Sequence, residues 1–207
     1  MILGGQALPR IFLYFVLVLI FPVCATVGVA QKGADTKSRI TLNFNQTEYL
    51  HRWSQNDQHE FTPPGQEDLS KWTDMLTINF YPHVNEGEGL ALVANQVLEN
   101  YKTQKGMVLK TVSVPRTIEK PAEHLIVVVF GRPTFLEAVQ ARFKLVNGKG
   151  VSIIYSHRVN GKKVGPEMSA WLKDNGPSIE KALMAWELPP TLGSLQKSSA
   201  PKSKPQY

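Results

Sequence analysis

The sequence predicts an α+β fold in which an antiparallel sheet is flanked by helices. Three observations carry this. Short runs alternate apolar and polar residues at a period of two. Tight-turn dipeptides such as Asn147-Gly148 and Asn160-Gly161 separate several of them. Two longer segments carry apolar residues at helical spacing, one mid-chain and one near the C-terminus.

Ile40, Leu42 and Phe44 open the order as a half-buried strand. Residues 48–53 and 58–62 suit a hairpin around Ser54-Gln55-Asn56-Asp57, which is ordinary turn chemistry. Pro63-Pro64-Gly65 ends it, and residues 66–70 read as one helical turn. Residues 73–81 form a strand with Leu76, Ile78 and Phe80 on one face, closed by Pro82.

Leu90, Val93, Ala94, Val97, Leu98 and Tyr101 then form one stripe of an amphipathic helix over about 88–104. Glu86 and Glu88 suit the positive end of its dipole, and Gly106 is a C-terminal stop. Four strands follow. They are 107–114; the doubly apolar Glu-His-Leu-Ile-Val-Val-Val-Phe of 123–130, read as central; a run alternating Val139, Ala141, Phe143 and Leu145 with Gln140, Arg142 and Lys144; and 151–159. Met168, Trp171, Leu172, Ile179, Ala182, Leu183 and Trp186 make a closing helix over about 166–187, which Gly176-Pro177 kinks or splits.

The ends differ from this domain of residues 38–188. Residues 1–30 hold Arg10 as their only charged side chain, then the apolar run 11–23, then small residues with cleavage points after Ala25 or Ala30. That is the layout of a signal peptide. An uncleaved anchor over residues 11–30 is the alternative, weakened by Pro22 and Gly28. Residues 31–37 read as a linker. Residues 189–207, rich in Pro, Ser and Lys, read as a disordered basic tail. The net charge of +6 is concentrated in these ends, so no basic groove for nucleic acid is expected. The single cysteine, Cys24, lies in the leader. The folded domain therefore has no disulfide, thiol nucleophile or thiolate metal site.

The order of strands, helix, four strands and helix, over about residues 58–188, resembles the Mog1/PsbP-like fold. The resemblance implies an α-β-α arrangement and accessory or binding proteins without a shared catalytic constellation. It transfers no functional residue. The chain also looks like small exported uncharacterised proteins of Gram-negative bacteria, which implies a periplasmic or secreted location.

The densest polar stretch is His-Arg-Trp-Ser-Gln-Asn-Asp-Gln-His-Glu-Phe, residues 51–61. Across a hairpin His51 and His59 can face each other, with Asp57 in the turn and Glu60 beside them. No recognised zinc spacing is present, so a polar turn is the leading reading and a metal or catalytic cluster the sharper one. Trp53 and Trp72 flank this stretch as candidate ligand-binding rings or core-edge fillers. His124 and His157 sit on apolar strand faces and form a pH-sensitive pair if their strands are neighbours. Gly-x-Gly in Asn-Glu-Gly-Glu-Gly, 85–89, carries two glutamates that oppose a phosphate, so it is a helix entry. Gly-x-Ser-x-Gly, His-Glu-x-x-His and Walker motifs are absent.

The expectation is an exported, non-enzymatic binding or accessory protein, with no cofactor and an unknown protein or small-molecule partner in the cell envelope. A metal-dependent or acid–base enzyme using His51, Asp57, His59 and Glu60 is the alternative, decided by whether those side chains converge. A third is an envelope domain tethered by residues 11–30.

Overall fold

The computed structural model describes residues 40–161 and 164–192. The leader, the linker and the tail beyond residue 192 lie outside them. Eight strands form one antiparallel sheet. They are β1 (Thr41–Phe44), β2 (Thr47–Gln55), β3 (Gln58–Thr62), β4 (Asp74–Tyr81), β5 (Met107–Val114), β6 (Glu123–Arg132), β7 (Phe135–Val146) and β8 (Lys149–Asn160). Helix α1 (Gly87–Thr103) follows β4 and α2 (Val164–Ala185) follows β8. The strand order is β1-β2-β3-β4-β8-β7-β6-β5. The predicted class, strands and helices are therefore present. Residues 66–68 have no regular structure and residues 69–70 form a turn, so the expected helical turn is not there.

The hairpins turn where the residues tolerate left-handed backbone. Asn45-Gln46, Asn56-Asp57 and Asn147-Gly148 each place two consecutive residues at positive φ, as tight hairpin turns require.

The two faces of the sheet carry different helices. On one, Leu90, Ala94, Val97 and Tyr101 of α1 pack on Ile126, Val128, Val139 and Phe143. On the other, Ile179 and Leu183 of α2 pack on Phe61, Leu76, Ile78, Leu125 and Ile153. Strand β6 is next to the edge strand, not central. Residues 125–130 are all buried because both helices reach β6. Polar residues of β7 are buried too: Gln140, Arg142 and Lys144 lie beneath α2 and the segment that follows it, held by hydrogen bonds.

Pro177 lies inside α2 without splitting it. Its missing N–H leaves the carbonyl of Lys173, four residues back, without its helical donor. Side chains crowd in nearby: Asn175 donates to the Trp171 carbonyl, Ser178 to that of Asn175, and Gln140 to that of Gly176. Past α2, Pro190–Leu192 form a short 3-10 turn, and Leu192 is buried in the core. The folded region thus extends beyond residue 188, where the sequence pattern placed the start of the tail.

Helix α1 ends in a Schellman arrangement. Lys105 N–H donates to the Lys102 carbonyl, and Gly106 N–H to that of Tyr101 at 2.8 Å. The left-handed residue is Lys105, at φ 62°, and not the glycine. Gly106 is required for space. A Cβ there meets Phe130 and Val128 side-chain carbons at 2.7 Å and the Tyr101 carbonyl at 2.9 Å. Gly106→Ala is expected to destabilise the fold by about 1–3 kcal/mol, as overpacking does. An unchanged thermal midpoint refutes this.

Candidate binding groove

Strand β2 has a bulge between His51 and Trp53 that decides where the predicted cluster goes. His51 pairs with Phe61, and Trp53 with Glu60. Opposed residues share a face and successive residues alternate. His51 and His59 therefore lie on the α2 side, whereas Trp53 and Glu60 lie on the other.

The two imidazoles come together, with ring centroids 5.8 Å apart. His51 also meets Phe61 at 5.0 Å, and His59 meets Phe80 at 5.6 Å. His59 is 1% exposed, and neither of its ring nitrogens has a hydrogen-bond partner; His51 Nε2 is likewise buried without one. Burial, reinforced by His51, lowers the His59 pKa to about 4, against a smaller opposing pull from Asp57. Burial also lowers that of His51. Asp57 occupies the turn, where its carbonyl accepts the Phe80 N–H at 3.0 Å.

Glu60 points away from both histidines. Gln58 donates to it at 2.9 Å, and burial raises its pKa. Trp72 stacks on the Arg158 guanidinium at 3.7 Å, Phe135 flanks the same group at 4.4 Å, and Arg158 donates to Glu137 at 2.9 Å. The four polar residues of the enzyme alternative are thus divided between two faces. Among the described residues no group of three or more His, Cys, Asp or Glu is placed to hold a metal ion.

His124 and His157 are not neighbours, because β7 separates β6 from β8. His124 faces Ser113 at 3.0 Å. His157 Nδ1 lies 2.9 Å from Asp74 Oδ1, which also accepts the Tyr155 hydroxyl at 2.5 Å. Burial alone raises the Asp74 pKa, but the His157 and Tyr155 hydrogen bonds outweigh it and the net shift is downward. The His157 ring lies flat on Trp171, 4.0 Å away. This network ties β4 and β8 to α2.

A concave feature lies elsewhere among the described residues. Helix α2 crosses the sheet beside β5 and leaves an open groove of about 690 Å³. Leu109, Val127, Leu172, Pro177 and Met184 give it an apolar lining. Lys110 and Glu180, paired at 2.7 Å, contribute to its wall, as does Lys181. Gln140 also lines it, with a buried Oε1 that has no hydrogen-bond partner. The register shift between Val108 and Lys110 makes Leu109 the extra residue of a bulge.

Beside the groove lies most of the exposed apolar surface of the described residues. Among the described residues the exposed large hydrophobics are Leu92, Met107, Leu109, Val114 and Ile118, and all except Leu92 belong to β5 or the loop after it. Sequence periodicity overlooked this site, although Met107, Leu109 and Val114 stand in an eight-residue run with one charge. A Ser-x-x-Lys spacing, Ser178 to Lys181, stands on α2. There the serine hydroxyl donates to the Asn175 carbonyl of its own helix, and Lys181 lines the groove.

No family model matches the chain, and no curated protein matches it. Among solved structures it is similar to the Pseudomonas aeruginosa protein of unknown function PA94. Identity is 14% and the TM-score 0.43, covering 73% of this chain and 98% of that one. It is also similar to the Saccharomyces cerevisiae Ran-binding protein Mog1p, at 8% identity and a TM-score of 0.40, covering 71% and 94%. A third similar structure is human STARD10, at 10% identity and a TM-score of 0.28, covering 74% and 82%. The resemblance to Mog1 stated from the order of elements is thus a weak likeness of fold, and no residue takes a role from it. Among the described residues no helix is long and apolar enough to cross a membrane.

Proposed function

We propose that this chain is an exported, non-enzymatic binding or accessory protein of the bacterial envelope, and that the groove between α2 and β5 is its binding surface. The observation that carries this reading is the gathering of Met107, Leu109, Val114 and Ile118 beside an apolar groove. Apolar surface concentrated in one place marks an interaction site more often than scattered residues do. A concave apolar lining with a few polar groups is the usual form of a ligand or partner site. The leader-like residues 1–30 support export.

A photo-crosslinking residue placed in living cells at Leu109 or Ile118 is expected to yield discrete adducts. The same residue at Leu92, exposed on α1, serves as the reference. Adducts of equal yield at all three positions, or none at Leu109 and Ile118, reject the groove as the binding surface. Intact mass and cell fractionation of the expressed chain check export. A cytoplasmic protein of full-length mass rejects it.

A further inference from the structure

We infer that the groove's partner is an extended, acidic-ended protein segment that adds to β5 as a ninth strand. This rests on the binding role proposed above and specifies its chemistry.

The sheet has two edges, and they differ. β1 has four residues, and its apolar residues Leu42 and Phe44 are buried. Shortness is a common protection against unwanted pairing. β5 has eight residues and pairs only with β6. Among the described residues no backbone hydrogen bond from another segment reaches its outer side. An exposed edge of this length is a template for another chain.

Edge strands are often guarded by a lysine standing over the open side. Lys110 is the only charged residue of β5, and its ammonium is drawn to Glu180 on α2, 2.7 Å away. Register places Met107, Lys110, Val112 and Val114 on the α2 side, opposite Val129, Val127, Leu125 and Glu123. A ninth strand lies about 4.8 Å further out and sends every second side chain to that same side. Those side chains meet the exposed Met107, Leu109 and Val114 and the mouth of the groove.

Charge selects the partner. Lys110 is already paired with Glu180, but the ends of β5 are cationic: Lys105 stands before it, and Arg116 and Lys120, with Glu119 between them, follow it. A second copy of this chain, paired through β5, brings the same cations together and is disfavoured. A segment with carboxylates at its ends and apolar residues between them is complementary.

The test uses the protein as isolated from cells. The probe is a labelled, acetylated ten-residue peptide with paired glutamates at each end around alternating valine and threonine. Saturable binding with slowed amide exchange confined to residues 107–114 is expected. N-methylation of alternate peptide amides should weaken binding at least tenfold, because it removes the inter-strand donors. Lysines in place of the glutamates should weaken it about as much. Absence of peptide binding, or equal binding of the N-methylated form, overturns strand addition. So does a sedimenting dimer with protected 107–114 amides, which assigns the edge to a second copy, or displacement of a naphthalene sulfonate dye without amide protection, which assigns the groove to small apolar molecules. If the crosslinks at Leu109 persist while the peptide fails, the binding role stands and only its strand-addition form is lost.

Discussion

Arg142→Ala is expected to be the most damaging single substitution in the sheet, removing about 3–5 kcal/mol of stability. The guanidinium is fully buried and holds two structures at once. Nε and Nη2 grip the Glu123 carboxylate at 2.7 and 2.9 Å, while Nη1 donates to the Leu183 and Trp186 carbonyls at 2.8 and 2.7 Å. The Leu183 carbonyl, in the last turn of α2, also accepts the Trp186 N–H at 3.3 Å, and the Trp186 carbonyl lies just past the end of the helix, which has no basic residue in its last turn. Truncation leaves a partly buried carboxylate unpaired and reopens the helix end. Arg142→Lys keeps the charge but not the planar fork, so it should restore only part of the loss. In urea unfolding, Glu123→Ala introduced into Arg142→Ala should recover stability by removing the stranded anion. A loss below about 1 kcal/mol, or no recovery in the double variant, shows that Arg142 is not holding this junction.

His59 is expected to make the protein sensitive to acid. Its pKa in the folded chain is lowered to about 4, while the unfolded chain titrates near the ordinary histidine value of 6.5. Above pH 6.5 both states are neutral, and the group adds no pH dependence. As pH falls below 6.5 the unfolded chain takes up a proton that the folded chain refuses. Stability therefore drops until the folded ring also protonates near pH 4. Over that window the drop approaches about 3 kcal/mol, because each tenfold difference in proton affinity between the two states is worth roughly 1.4 kcal/mol. His51 shifts in the same direction and adds to the slope. His59→Phe removes two unpartnered nitrogens from an aromatic setting made by His51 and Phe80. It should match or exceed the native protein at pH 7 and lose much less stability by pH 4. Parallel stability–pH curves for the two proteins would falsify this account.

Much of the fold was legible because its signals are local. The stripe of α1, the Asn-Gly turn before β8 and the strand of residues 107–114 can each be read within one element. Strand order is not local. β6 has the composition of a central strand because two helices bury it, and composition does not distinguish helix cover from strand neighbours. The alternation of Gln140, Arg142 and Lys144 resembles a wet face until α2 is laid over it. The candidate cluster was legible in part: His51 and His59 do meet across the hairpin, but its division between two faces was not. Counting by twos along β2 fails at Arg52, where the bulge sends Trp53 to the opposite face from His51. The groove lay beyond reach as well. Its wall pairs Lys110 with Glu180, residues brought together only when α2 crosses the sheet.

Sheet order also bears on how the chain folds. Six of the seven strand pairings join consecutive strands, and only β4–β8 joins distant ones, from Tyr81 with Gly150 to Asp74 with His157. Closing that seam requires ordering a loop of roughly 70 residues, whose entropy must be lost before its contacts repay it. The chain is in effect two four-stranded meanders, each assembled from local hairpins, awaiting one late zipper. Ile78 and Ile153 face each other across that zipper and are fully buried. The folding barrier is therefore expected to sit at this pair, while the hairpins form quickly on either side of it.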